Sequence, residues 1–294
     1  MQRVSVIIPT LARSDRGAEL LRAIESVHEQ AGVAVRAIVV VNGLRRDPAV
    51  VARLRADRRL EVLESTEPGI PAALHRGRQA VDSRWVCALD DDDLLLPGAL
   101  AARVEFLAAH PDYTAVVSNG YRRNGSGDVV HLHDLASLER DPMGELLRRN
   151  WLLPGSWLSH TDTIDPQFFA QMPRFLECTY VAVRLAMTGR LKFLEEPSVV
   201  WFTGKNDSES RSRHHALGQP AAIRQMLELP LPSSFARGLR REAAAACHAN
   251  ADLLLGEGRL AAAWQWHLQS LLGTAGYRYA FYTRHLLAAA VGVR

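Results

Sequence analysis

Four consecutive aspartates, Asp90-Asp91-Asp92-Asp93, close an apolar run at 85–89. Adjacent carboxylates repel one another, and a divalent cation bound among them relieves that cost. Residues two apart in an extended segment face the same way, so Asp90 and Asp92 are expected to point into one site. Hard carboxylate oxygens suit Mg2+ or Mn2+, which bridge carboxylates to substrate phosphates. A plainer reading makes Asp93 and its neighbours the cap of a helix opening at Pro97. One aspartate serves a cap; four exceed it.

The elements that would position this run alternate strand and helix. β-branched apolar runs predict strands at 4–8, 37–41, 60–64 and 85–89. Between them, helices are predicted with Leu20, Leu21, Ile24 and Val27 on one face, at 50–56, and from Pro71 to about 81. Apolar strands separated by helices indicate a mostly parallel sheet covered on both faces. Ligands of such sheets bind outside the carboxyl ends of the strands. Thr10, Asn42-Gly43, Glu64 and the four aspartates stand at those ends.

Beyond 93 the pattern predicts a helix at 97–109, a strand at 114–118 and a turn at Asn124-Gly125-Ser126-Gly127 into a strand at 129–132. Helices at 144–150 and 179–187 and strands at 191–194 and 199–202 follow, then a mobile polar loop over 203–218. Ala- and Leu-rich helices are expected at 234–255, 258–272 and 276–290. The domain reading is therefore 1–230, with a nucleotide-side half to about 118 and an acceptor half from 119, and a helical region at 231–294.

Hydrophobic residues at 48% and charged residues at 23% exclude a disordered chain. Net charge is only +3, with arginines spread along the chain, so nucleic acid is not implied. Arginine does suit phosphates, because its fork pairs two oxygens at once. Cys87, Cys178 and Cys247 form no CxxC pair, which argues against zinc and a disulfide framework. No signal-peptide core and no run of about 18 apolar residues is present, so a cytoplasmic protein is expected.

Three motifs together resemble the family-two inverting glycosyltransferases, over roughly residues 3–202. They are the opening run Val4-Ser5-Val6-Ile7-Ile8-Pro9-Thr10, then Glu25-Ser26-Val27-His28-Glu29-Gln30, then Ala88-Leu89-Asp90-Asp91-Asp92-Asp93 with Pro97 beyond it. The resemblance implies a GT-A fold, a DxD motif, a nucleoside diphosphate sugar donor (UDP above all) and Mn2+ or Mg2+ on the diphosphate. It further implies that Thr10 and Arg13 line the base pocket, and that Asn42 meets the base. Asp90 and Asp91 would contact the nucleotide sugar, with Asp92 and Asp90 on the metal. The family's Arg-Asn pair reads Leu74-His75 here, so its Arg role passes to Arg76 or Arg78.

An inverting transfer needs a carboxylate to take the acceptor proton. The family's Glu-Asp pair matches Glu177-Cys178, with Arg184-Leu185 and Gly189 following in register, so the resemblance implies Glu177 as the base. Asp162 and Asp165 are the next carboxylates to consider. Val41 replaces a common aspartate, and the family's late His is absent near 203–205, where Lys205, His214 or His215 could serve the diphosphate. Trp157 and His160 fall where acceptor contacts are common. The acceptor would be a glycan or lipid-linked molecule of bacterial surface or exported polysaccharide synthesis.

The C-terminal region carries Trp264, Trp266, Tyr277, Tyr279, Phe281 and Tyr282 among Arg278, Arg284 and Arg294. A helical cap or homo-oligomer contact is expected there, with peripheral contact at the inner face of the cell membrane as the other reading. Two functions compete with glycosyl transfer. A sugar-phosphate nucleotidyltransferase would want a Gly-rich basic loop, which Leu11-Ala12-Arg13-Ser14-Asp15-Arg16-Gly17 matches poorly. A non-catalytic sugar-nucleotide module is suggested by Val41, Leu74 and Cys178.

Overall fold

A computed structural model of the chain describes residues 1–203 and 212–291. The chain divides into two compact units, Met1–Lys205 and Asn206–Arg294. In the first unit, β1 (Arg3–Thr10) leads through a 3-10 turn at Ser14–Arg16 into α1 (Gly17–His28). Then come β2 (Ala34–Asn42), α2 (Pro48–Ala56), β3 (Leu60–Ser65), α3 (Ile70–Gln79) and β4 (Trp85–Ala88). The second half carries β5 (Leu94–Leu95), α4 (Ala99–Ala109), β6 (Tyr113–Asn124), β7 (Gly127–Val130), α5 (Leu135–Arg140) and α6 (Pro142–Leu146). It ends with β8 (Trp157–His160), α7 (Pro166–Ala170), α8 (Glu177–Thr188) and β9 (Arg190–Phe202).

Among the described residues, nine strands form one sheet in the order β3-β2-β1-β4-β8-β6-β9-β5, with β7 paired to β6 beside that path. The strands β3, β2, β1 and β4 are parallel, as the apolar runs of β1, β2 and β4 predict, while β3 carries Glu61 and Glu64 and stands half-buried at the sheet edge. Past β4 the sheet is mixed: β8 runs antiparallel to β4 and β6, while β6 and β9 are parallel. Every residue of β1 from Val4 to Thr10 is buried, the mark of a central strand.

Local chemistry explains several element starts. Asp47-Pro48, Asp141-Pro142 and Asp165-Pro166 open α2, α6 and α7, each Asp accepting a first-turn N–H and each Pro filling the first helical position. Gly77 lets α3 lie against β1 and β2. A Cβ there would run into Ile7 and come within 3.1 Å of Val40.

Three expectations need correction. Residues 190–202 form one strand, because Glu195 and Glu196 are absorbed in a bulge between the pairs Ser118–Leu194 and Asn119–Pro197. The strand β8 was not foreseen. The helix expected at 144–150 is α6 instead, ending at Leu146.

The second unit holds α9 (Arg213–Met226), α10 (Ser233–Gly256), α11 (Leu260–Leu272), a 3-10 stretch at Gly276–Tyr282 and α12 (Thr283–Ala290). Leu254, Ala263 and Leu286 form its core, backed by Leu255, Trp264, Trp266 and Tyr282. The polar loop expected over 203–218 falls partly outside the described residues, and α9 is already helical from Arg213. The single helix expected at 276–290 divides at Tyr282.

Candidate active site

The carboxyl ends of β1 and β2 are tied together by Asn42. Its Nδ2 donates to the Thr10 carbonyl at 3.0 Å, and its Oδ1 accepts the N–H of Gly69, at the start of α3, at 3.1 Å. The Thr10 hydroxyl accepts the Ala12 N–H at 3.0 Å and donates to Asp91 Oδ2 at 2.6 Å. Both side chains, expected at a nucleotide base, are thus buried and engaged, Thr10 with the acidic run and Asn42 with β1 and the start of α3. Arg13 is exposed, with its Nε on Asp15 at 2.9 Å.

The acidic run is a turn. The Asp93 N–H donates to the Asp90 carbonyl at 3.2 Å, so the extended alternation expected for Asp90 and Asp92 does not apply. The four carboxylates separate by task. Asp93 is buried and its Oδ1 accepts the Phe202 N–H at 3.0 Å, fixing the turn to β9. Asp91 takes the Thr10 hydroxyl. Asp92 takes Arg16, whose Nη2 lies 2.5 Å from Asp92 Oδ2 and 3.7 Å from Asp91 Oδ1. Burial, and then the charges of Asp92, Asp91 and Glu177, push the Asp90 carboxyl up to about 8, with Arg16 opposing. The helix-cap reading fails, because α4 begins behind Gly98 with no side-chain cap.

Glu177 begins α8. It follows two left-handed non-glycine residues, Phe175 (φ 66°) and Leu176 (φ 61°), and its Oε1 accepts the Phe175 N–H at 3.0 Å. Its charge reaches Asp90, so the start of α8 faces the acidic turn. Cys178 faces it too. Burial, then the charges of Asp90, Glu177 and Asp93, lift its thiol well above the ordinary range and keep it protonated. A neutral thiol is no proton acceptor, and the carboxylate that stands at this helix start is that of Glu177.

Other expected residues are placed elsewhere. Arg78 is buried, donating to the carbonyls of Thr161 at 2.7 Å and Ile164, so it ties α3 to the segment after β8. Arg76 is exposed on α3. Trp157, expected at the acceptor, is a buried side chain of β8. His160 pairs with Trp85, the first residue of β4, their rings 4.2 Å apart. That puts His160, expected at the acceptor, at the opposite end of β4 from Asp90. Asp162 follows it there, as does Asp165, the cap of α7. His214 and His215 lie in the first turn of α9, and Lys205 lies outside the described residues.

Two residues went unread in the sequence. Arg16 is one; only charge complementarity to the aspartates could have singled it out within 13–16. The other is Arg103 of α4, fully buried. Its guanidinium donates to Ser118 Oγ at 3.0 Å, Ser198 Oγ at 2.5 Å and the Gly155 carbonyl at 2.6 Å. Burial lowers its pKa to about 10. It binds α4, β6, β9 and the loop before β8 into one frame behind the turn.

Among the described residues, no three His, Cys, Asp or Glu side chains gather as a closed metal site. Magnesium and manganese in nucleotide sites take one or two carboxylates and complete their shell with phosphates and water. Asp90 and Asp92 supply that number. The carboxyl of Asp90, held up by burial and then by its neighbours' charges, is a group that a cation would let ionise. The donor set therefore fits.

The sequence matches the family model described as Glycosyl transferase family 2 over residues 5–176. No curated protein matches it. Among solved structures it is similar to a 1-349 fragment of S. aureus TarS in complex with UDP-GlcNAc. There the TM-score is 0.58 at 13% identity, covering 82% of this chain and 71% of that one. The same fragment in complex with UDP gives a TM-score of 0.55 at 15% identity, covering 82% and 70%. At such identities the likeness shows the fold, and that fold is GT-A. The family assignment sets aside the nucleotidyltransferase and non-catalytic readings. With 172 of its residues, 5 through 176, inside the family model, this chain belongs to glycosyl transferase family 2 and is a glycosyltransferase.

Proposed function

We propose that the protein transfers a sugar from a UDP-sugar to a hydroxyl of a glycan or lipid-linked acceptor, with inversion at the anomeric carbon. The observation carrying this reading is the meeting of the Asp90–Asp93 turn with the start of α8 at the carboxyl end of β4, where the Glu177 charge reaches Asp90. The UDP assignment is supported by the UDP and UDP-GlcNAc complexes of the TarS fragment, whose fold is similar.

In this reading Asp90 and Asp92 hold Mn2+ or Mg2+, which when bound neutralises the departing diphosphate. Thr10 and Asn42 keep the strand ends and the turn in register. Glu177 takes the proton of the acceptor hydroxyl as its oxygen forms the new bond to the anomeric carbon. The bond from that carbon to the diphosphate breaks, and the electron pair leaves with UDP. The protonated Cys178 beside it contributes volume rather than a charge.

Calorimetric titration of UDP with Mn2+ and then with EDTA, into wild type and Asp92→Ala, tests the reading. Tighter binding with Mn2+ is expected in wild type alone; equal affinity throughout removes the cation from the account. A thermal-shift panel of UDP-, GDP-, CDP- and dTDP-sugars tests the nucleotide, since a ligand of the folded state alone raises its stability.

A further inference from the structure

Three consecutive segments of the C-terminal unit each turn an apolar i,i+4 pair outward. On α11 the pair is Leu268 and Leu272, 52% and 89% exposed. In the 3-10 stretch it is Tyr277 and Phe281, 79% and 80% exposed, and on α12 it is Leu287 and Val291, 55% and 75%. On α11 and at the end of α12 this spacing shares a helix face, whereas in the 3-10 stretch, at about three residues per turn, Tyr277 and Phe281 are joined by their exposure alone. The same segments also carry inward aromatics, which shows that the outward set is a second, separate face. Tyr279 stacks on His248 with centroids 4.5 Å apart, Tyr282 donates to Asp252 at 2.8 Å, and Leu286 is fully buried.

Charge identifies the partner. No Asp or Glu follows Glu257 in the sequence, whereas Arg259, Arg278 and Arg284 do, and Arg278 and Arg284 are exposed beside the apolar pairs. A two-fold contact between copies would set this basic face against itself, like charge on like. An anionic lipid surface meets both features: aromatic and aliphatic side chains enter the headgroup region while the guanidiniums stay at the phosphates. No described helix is long and apolar enough to cross a membrane, so the association is with the surface.

We propose that the segments from Leu268 to Val291 form a docking face for anionic bilayers. It is independent of the reading of the acidic turn. The test is flotation of the full chain with vesicles of phosphatidylcholine alone or mixed with phosphatidylglycerol, at low and high salt, with circular dichroism of each variant. Wild type is expected to bind the mixed vesicles, and to leave them at high salt.

Tyr277→Ser with Phe281→Ser is expected to weaken that binding about tenfold or more by removing aromatic burial. Leu272→Ser, at the most exposed of these positions, is expected to weaken it in the same direction and provides a second variant should the double one misfold. Arg278→Gln with Arg284→Gln is expected to cost about fivefold per charge and to abolish the preference for the anionic vesicles. Absence of wild-type binding to the mixed vesicles overturns the proposal. So does binding that folded variants leave unchanged, or concentration-dependent self-association lost in the aromatic variant without any vesicle binding.

Discussion

The Arg16 Nη2 atom lies 2.5 Å from Asp92 Oδ2 and within 3.7 Å of Asp91 Oδ1, so the protein's own guanidinium sits on the carboxylates proposed for the cation. A divalent cation held as proposed would compete with Arg16 for Asp92. Both partners are partly exposed, where such a pair is worth up to about 1 kcal/mol. Arg16→Gln is expected to raise Mn2+ affinity of the nucleotide-free protein by about fivefold, with Arg16→Lys intermediate. Calorimetry without nucleotide measures this, and an unchanged affinity would separate Arg16 from the cation.

The Asp90 carboxyl, lifted from 3.8 to about 8, would make the proposed cation binding a proton-releasing event. Below about 8 the cation must displace a proton, so Mn2+ affinity should rise with pH up to that point and then level. The same shift sets the sign for stability. The folded chain keeps a proton that the unfolded chain releases near 3.8, so without cation this contribution is present in acid and lost as pH rises through about 8. Melting curves across that window, with and without Mn2+, should diverge most at the alkaline end.

Glu177→Gln is expected to leave nucleotide-sugar affinity nearly intact while turnover falls on the order of 10²-fold or more, the scale of losing a general base. Cys178→Ala should be nearly silent, because the thiol it removes is already protonated. Steady-state turnover beside direct binding distinguishes the two outcomes. Retained activity in Glu177→Gln would move the base elsewhere, and Asp162 and Asp165 are at the wrong end of β4 to inherit it.

Arg103→Met should destabilise the fold by about 3 kcal/mol, since Ser118, Ser198 and the Gly155 carbonyl would be left buried without their donor. Arg103→Lys should recover only part of this, because an ammonium cannot reach acceptors spread around a planar fork. Denaturant melts of the three proteins provide the comparison.

The parallel half of the sheet was legible because runs such as Val4–Ile8 can be stable only when buried on both faces. The antiparallel half was not: β8 is four residues long and follows Pro154-Gly155, and the Glu195-Glu196-Pro197 break in β9 reads as an end although a bulge carries the strand on. At the site, the aspartates announced themselves by type and adjacency. Their division of labour did not, because it depends on partners 76 to 109 positions away: Arg16 for Asp92, Thr10 for Asp91 and Phe202 for Asp93. The placement of His160 was hidden for a related reason. Its position along the chain matches the family pattern, but the antiparallel pairing with Trp85 points it to the far end of β4.

The left-handed pair Phe175 and Leu176 costs about 1 kcal/mol at each residue, a cost glycine would avoid. Selection for stability alone would drift both positions toward glycine or asparagine. Either exchange would keep the backbone kink and ease its strain, because both residues adopt the left-handed region readily. Among related sequences, glycine or asparagine is therefore expected at one or both positions with the carboxylate at 177 kept, since the kink survives the exchange.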